Sequence, residues 1–233
     1  MEEGYMKLSA KKEIKPCKLN FASLFWLFLI GSVIGFVLEG IWHVMRTGEW
    51  ENHVSTVWGP FCTVYGVGAA MIYAVSYLLQ NKNIAVQFFV YGGIGTAVEY
   101  FTSLFQELLF GSTSWNYDDH IFNIGGRVSL QMTLLWGLLG ISFVRLVFPY
   151  LSLLLGKLNK RSWNIVCAFC SAVMAINLLV SASAVMRWGE RMEQEEADNE
   201  WEEFLDVRFH DERMRETYPN MVFQSLEASD TEA

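Results

Sequence analysis

The chain has 233 residues, of which 52% are hydrophobic, 15% aromatic and 18% charged. Its net charge of −8 is uneven: residues 188–233 hold 15 acidic and 4 basic side chains, and the remainder holds 10 acidic and 13 basic. That length suits one domain, the apolar fraction lies above the soluble average, and the lack of a basic stripe or recognition motif speaks against nucleic acid as a partner.

Residues 1–20 form a Lys-rich head. Five segments after it are apolar over the roughly 20 residues that a membrane crossing needs: 21–45, 59–80, 84–110, 128–148 and 162–187. None shows the polar stripe of a soluble amphipathic helix. The first is too long for a signal peptide, carries Glu39 and lacks a small-residue cleavage pattern, so it reads as a permanent span. The expected fold is an all-α membrane protein, a bundle of about five transmembrane helices with an acidic, partly helical tail over 188–233. Cys17, Cys62, Cys167 and Cys170 make no disulfide framework, and "CAFC" at 167–170 reads as helix packing because no companion ligand accompanies it. "GSVIG" at 31–35 is a small-xxx-small pattern for close helix approach, and Gly92, Gly93 and Gly95 suggest another such contact.

Orientation follows from the basic residues of short loops. Lys7, Lys11, Lys12, Lys15 and Lys18 of the head, Lys82 between spans two and three, and Lys157, Lys160 and Arg161 between spans four and five share one side. The opposite loops, 46–58 and 111–127, carry only Arg46 and Arg127. The reading is an inner-membrane protein with a cytoplasmic N-terminus and, for five spans, an external tail. Arg145 sits where its long side chain can snorkel to the inner interface.

Two carboxylates lie inside the spans. At ~1.5 Å per residue, Glu39 is roughly 27 Å along span one and Glu99 about 22 Å along span three, so both fall in the outer half. Glu107, two turns beyond Glu99, is rotated from it by only about 80°, so one broad face carries both. The outer ends of spans two and four add Tyr65, Arg127 and Gln131 at similar height. Arg127 is the nearby cation for three acids, with Arg46 at the rim, so such a site is short of positive charge. It calls for a proton, a cation or a neutral Glu. Alternatively, Glu39 and Glu99 tie helices together and Glu107 faces headgroup water. His43 follows Glu39 by four residues, but two ligands do not make a metal site, and none is assigned.

The outer loop "GSTSWNYDDHIFNIGGR" (111–127) pairs the interfacial aromatics Trp115 and Tyr117 with Asp118, Asp119 and His120. It has the make-up of a lid, although a solvated turn explains the charged residues as well. In the tail, Trp188, Met192, Trp201 and Leu205 fit a helix continuing out of span five, and the acidity predicts a solvated or partly disordered arm.

Four blocks occurring in order resemble a known family: "FLIGSVIGFVLEGIW" (28–42), "WGPFCTVYGVGA" (58–69), "EYFTSLFQELLFG" (99–111) and "WNYDDHIFNIGGRVSLQMTLLWGLLG" (115–140). They are similar to the small multi-pass bacterial membrane proteins grouped as type IV ABC-transporter permeases, over roughly residues 25–150. The matching positions are Glu39, Gly59, Pro60, Tyr65, Gly66, Glu99, Glu107, Trp115, Tyr117, Asn123, Gly126 and Arg127. Thr63, Val64, Ser103 and Asn116 depart from the pattern, and "DERMRETYPNM" (211–221) resembles the ending of some such proteins.

The resemblance implies transport. No G-x-x-x-x-G-K-[ST] motif occurs, so ATP-driven activity would need a separate ATPase subunit. The expected site joins Glu39 and Glu99 with Glu107, balanced by Arg127, while Tyr65, Asn123 and Gln131 orient a ligand or water. The alternative is an accessory or scaffolding membrane protein whose acids are structural. An intramembrane enzyme ranks below both, since no nucleophile–base pair and no catalytic residue stands out. No cofactor is implied. Partners beyond the lipid bilayer stay open among an ATPase subunit, another membrane protein and a homo-oligomer.

Overall fold

A computed structural model describes residues 19–158 and 161–224. The head with its lysines and Cys17, residues 159–160 and the last nine residues lie outside the described residues. Helix α1 (Phe21–Thr47) begins where the Asn20 side chain accepts from Ser23 N at 2.9 Å, and it stops at Gly48 in the left-handed region. Helix α2 spans Thr63–Leu79, α3 spans Ile84–Phe110 and α4 spans Leu130–Ser142. A π-helical turn over Phe143–Val147 joins α4 to α5 (Phe148–Leu158), and α6 covers Arg161–Met192. Pro149 sits in the first turn of α5, and the wider turn just before it accommodates a residue that has no N–H to donate.

Four helical runs are long and apolar enough to cross a bilayer: Phe21–Thr47, Ile84–Phe110, Leu130–Gly156 and Trp163–Met192. Large side chains such as Phe89, Phe101, Ile165, Phe169 and Leu179 are exposed on α3 and α6. Water would penalise that surface and lipid would not, so this is an all-α membrane protein. Near the start of α1 the core gathers Phe25, Trp26 and Leu27 with Tyr73, Leu155 and Met174. Cys167 packs there as a free thiol.

Helix α2 is shorter than the expected 59–80. At ~1.5 Å per residue its 17 residues cover about 26 Å, less than the roughly 30 Å hydrocarbon core. Gly59 at φ 82° and Pro60 keep the preceding chain out of a helix. Cys62 N donates to Ser32 O at 3.0 Å, about 16 Å along α1. Residues 49–62 therefore descend in irregular form beside α1 before α2 begins. Their polar backbone finds partners in the protein: Val57 N donates to Ser181 Oγ at 2.9 Å and Asn177 Nδ2 to Trp58 O at 2.8 Å. Non-helical chain is tolerated at such depth only when satisfied this way or wetted by a cavity.

Two helix pairs, α1 with α2 and α3 with α4, make up most of the bundle. Each closes over a glycine that seats an aromatic ring. A Cβ at Gly35 would overlap the Tyr65 ring, and one at Gly95 would overlap Trp136 at its stem. Tyr65 and Trp136 then lie with ring centroids 5.2 Å apart, joining the pairs.

The acidic tail is a folded cap. Helix α6 ends at Met192, Gln194 turns the chain at φ 64°, and α7 (Glu200–Arg208) starts on an Asn199 cap. Helix α8 (Asp211–Thr217) follows, and strand β2 (Val222–Phe223) pairs antiparallel with β1 (Ser112–Thr113) of the 111–127 loop. The expected continuous helix from Trp188 to Leu205 is thus broken at 193–199, because Leu205, Phe209, Met214 and Phe223 fold back onto Ala184, Val185 and Trp188. Buried Arg187 donates from Nε and NH2 to the Asp206 carboxylate at 2.9 and 3.0 Å, and Arg191 donates to Asp206 at 2.6 Å and Asp211 at 2.7 Å. Two arginines at the end of α6 thereby anchor an otherwise acidic segment.

Gly95→Ala should lower stability by about 1–3 kcal/mol through overpacking against Trp136. Gly93→Ala, where a Cβ meets nothing within 4 Å, should lose nothing in the same detergent melting assay. Arg187→Met should loosen the cap by about 3 kcal/mol, read as faster proteolysis within 193–199. The Arg187 and Arg191 hydrogen bonds hold the Asp206 carboxyl below the usual range, so their contribution persists above about pH 4. Proteolytic protection should therefore hold from neutral pH down to that value and fall only below it.

Candidate functional site

A cavity of about 790 Å³ opens between the C-terminal halves of α1 and α3, under the cap and the 111–127 loop. Glu39, Cys62, Tyr65 and Glu99 line it from the spans, Trp115 and Tyr117 from the loop, and Tyr218 and Asn220 from the tail. Helix α1 brings Glu39 to the Tyr65 hydroxyl, which donates to Oε1 of the carboxylate. Helix α4 seats Trp136 on Gly95, one turn before Glu99 on α3. Glu99 is only 9% exposed, and its Oε2 is buried without a hydrogen-bond partner. Neither Glu39 nor Glu99 has an ion-pair partner among the described residues.

Arg127, expected to balance these acids, lies elsewhere. Its NH2 is 2.5 Å from Glu107 Oε2, and the pair lines a second cavity of about 420 Å³ behind the loop. Glu99 and Glu107 share a helix face in part, but the 111–127 loop passes between them. Trp115 is the wall: it lines both cavities, and its indole donates to Arg127 O at 3.0 Å. Glu107 is therefore neutralised locally rather than left to headgroup water.

Three further candidates stand apart from the cavity lining. Asn123 braces the loop, donating to Asp118 O at 2.9 Å and His120 O at 3.1 Å while accepting from Gly126 N. Asp118 is exposed and accepts from Asn116 Nδ2 at 2.9 Å. Gln131 is exposed on the first turn of α4, because the Ser129 cap phases that helix with Thr133 and Trp136 toward α3. The loop does cover the acids. Burial, with the Glu99 and Glu39 charges nearby, holds the Tyr117 phenol above its ordinary range, so it stays a neutral donor.

Several residues in or beside the cavity carry no sequence signal strong enough to single out. Trp136 looks like one more apolar residue of α4, and Asn220 belongs to a tail expected to be solvated. Glu51 and His53 lie in a polar loop, yet both line the mouth of the cavity with His43.

A family model described as "Putative ABC-transporter type IV" matches residues 26–182. The chain belongs to that family. The matched segment of this ABC-transporter type IV protein runs from early α1 into α6 and contains Glu39, Glu99, Glu107 and Arg127. It ends before the cap, so α7, α8 and β2 lie outside the matched segment. No curated protein and no solved structure matches the chain.

Proposed function

We propose that this protein is a permease-type subunit whose cavity takes up a proton, a cation or a small cationic ligand through Glu39 and Glu99. The observation that carries the reading is the pair of carboxylates lining a cavity of about 790 Å³ without an ion-pair partner among the described residues, one of them with a buried oxygen that has no hydrogen-bond partner there. An uncompensated carboxylate in such surroundings costs several kcal/mol, so a proton or cation must offset it. Tyr65 and Tyr117 supply donors that orient the acids and an incoming ligand, and the 111–127 loop serves as the lid. Arg127 and Glu107 hold that lid in place and are not part of the uptake site.

The Lys-rich end belongs in the cytoplasm of an inner-membrane protein, with the cavity mouth outside. The tail sits on the same end as the 46–58 and 111–127 loops, held by Asn52 to Thr217 O at 3.1 Å and Gln224 N to Gly111 O at 2.9 Å, which agrees with an external tail. In this arrangement α2 is the fifth crossing, completed by the irregular 49–62 segment. The division into head, helical body and tail follows. The family description together with the lack of a nucleotide-binding motif makes a separate ATPase subunit the expected partner.

The scaffolding alternative draws on one observation. The Tyr65–Glu39 hydrogen bond crosses between α2 and α1, so that acid also ties the bundle.

Glu39→Gln and Glu99→Gln separate the two. An uptake site should keep or gain thermal stability while losing cation- or pH-dependent change in tryptophan fluorescence. A structural tie should lose about 1–2 kcal/mol with each change and show no such dependence in the parent protein. Affinity purification from native membranes should recover an ATPase in stoichiometric amount, and recovery of an envelope protein alone would favour scaffolding.

A further inference from the structure

We propose that His43, Glu51 and His53 form a binding site for one divalent transition-metal ion of the zinc class at the cavity mouth. His43 is on the last turns of α1, and Gly48 at φ 83° turns the chain so that Glu51 and His53 return beside it. His43 Nδ1 is 3.4 Å from Glu51 Oε1, and His53 Nε2 is 3.3 Å from the same oxygen. All three ligand atoms lie within 4.8 Å of one another.

The spacing is informative. Ligands at about 2.0–2.1 Å from a tetrahedral ion are separated by about 3.3–3.4 Å, the edge of that tetrahedron. Both measured contacts match it without being well-formed hydrogen bonds. His53 Nε2 is buried and has no hydrogen-bond partner despite the nearby carboxylate. An imidazolium N–H satisfied by Glu51 would show one. A lone pair directed at a shared point between the three atoms would not. The rings, with centroids 5.5 Å apart, are tilted by 50° to one another and not stacked.

Two imidazoles and a carboxylate suit zinc, cobalt or nickel better than magnesium or calcium, which favour oxygen ligands. Asn220 Nδ2 donates to Glu51 Oε1 at 2.7 Å and orients the carboxylate from outside the ligand set. Since Asn220 belongs to the cap, docking of the tail and shaping of the site are linked. Three protein ligands leave one coordination position, and all three residues line the cavity that also holds Glu39 and Glu99. The ion would therefore present an exchangeable position to the space above the two acids. The site's existence does not depend on the uptake reading. If both hold, the ligand class at the mouth is a divalent metal ion.

The test is titration of the full-length protein, purified in detergent and stripped with a chelator, with Co²⁺ alone. One equivalent should give the intense visible bands of tetrahedral cobalt. His43→Gln, Glu51→Gln and His53→Gln should each lose those bands, and Asn220→Ala should weaken binding by about 10–100-fold. Glu39→Gln and Glu99→Gln should retain them, so failure here is distinct from failure of the uptake reading. Matching elution and metal-free melting of the variants establish that they are folded. Absence of tetrahedral bands in the parent protein at millimolar Co²⁺ would overturn the proposal. So would bands that survive His53→Gln, or that disappear only with Glu39→Gln or Glu99→Gln.

Discussion

Two carboxylates held in an apolar bundle beside aromatic rings set the terms for one half of this protein. Glu39 is met by the Tyr65 hydroxyl, and Glu99 lies one turn from the Gly95 seat of Trp136. Each ring occupies space that exists only because the facing helix has glycine, at 35 and at 95. The two rings touch, so the α1–α2 and α3–α4 pairs meet beside the acids. Placement of the acids and helix packing are consequently coupled here. A change at either glycine moves a ring, and a change at Glu39 removes a link between α1 and α2.

The short α2 and the chain before it extend that constraint. Beginning α2 at the height of Ser32 leaves room above it, and the cavity occupies that room. The irregular segment that descends there is held by Ser181 and Asn177 of α6, polar side chains that would otherwise be a cost in a spanning helix. The cap then closes the end of the bundle. Its apolar side covers the last turns of α6, and its strand β2 continues the loop that shields the acids.

Charge follows the same economy of local partners. Glu107 is answered by Arg127 and Asp206 by Arg187 and Arg191, while Glu51 accepts from Asn220. Within the described part of the chain, Glu39 and Glu99 line the cavity without an ion-pair partner, and the neutral Tyr65 hydroxyl orients Glu39 without cancelling its charge.

Much of this was legible in the residues themselves. Span three is read to the residue because Asn83 and Gly111 punctuate an apolar run, and span one and the final span differ only at their ends. The heights of Glu39 and Glu99 follow from helical rise alone, as does the closeness of α1 and α2 from "GSVIG". Length, hydrophobicity and local caps are properties of contiguous chain, so sequence determines them. Tertiary structure decided which cation meets which acid, because Arg127 and Glu107 find each other through a loop conformation that no spacing encodes. It also decided that the tail folds, since Leu205, Phe209 and Met214 become a core only when α6 offers its own apolar face. His43, Glu51 and His53 are gathered by a left-handed turn at Gly48 and by a descent along α1 that hydropathy could not anticipate. Partners far apart in the chain meet only after packing has chosen the path between them.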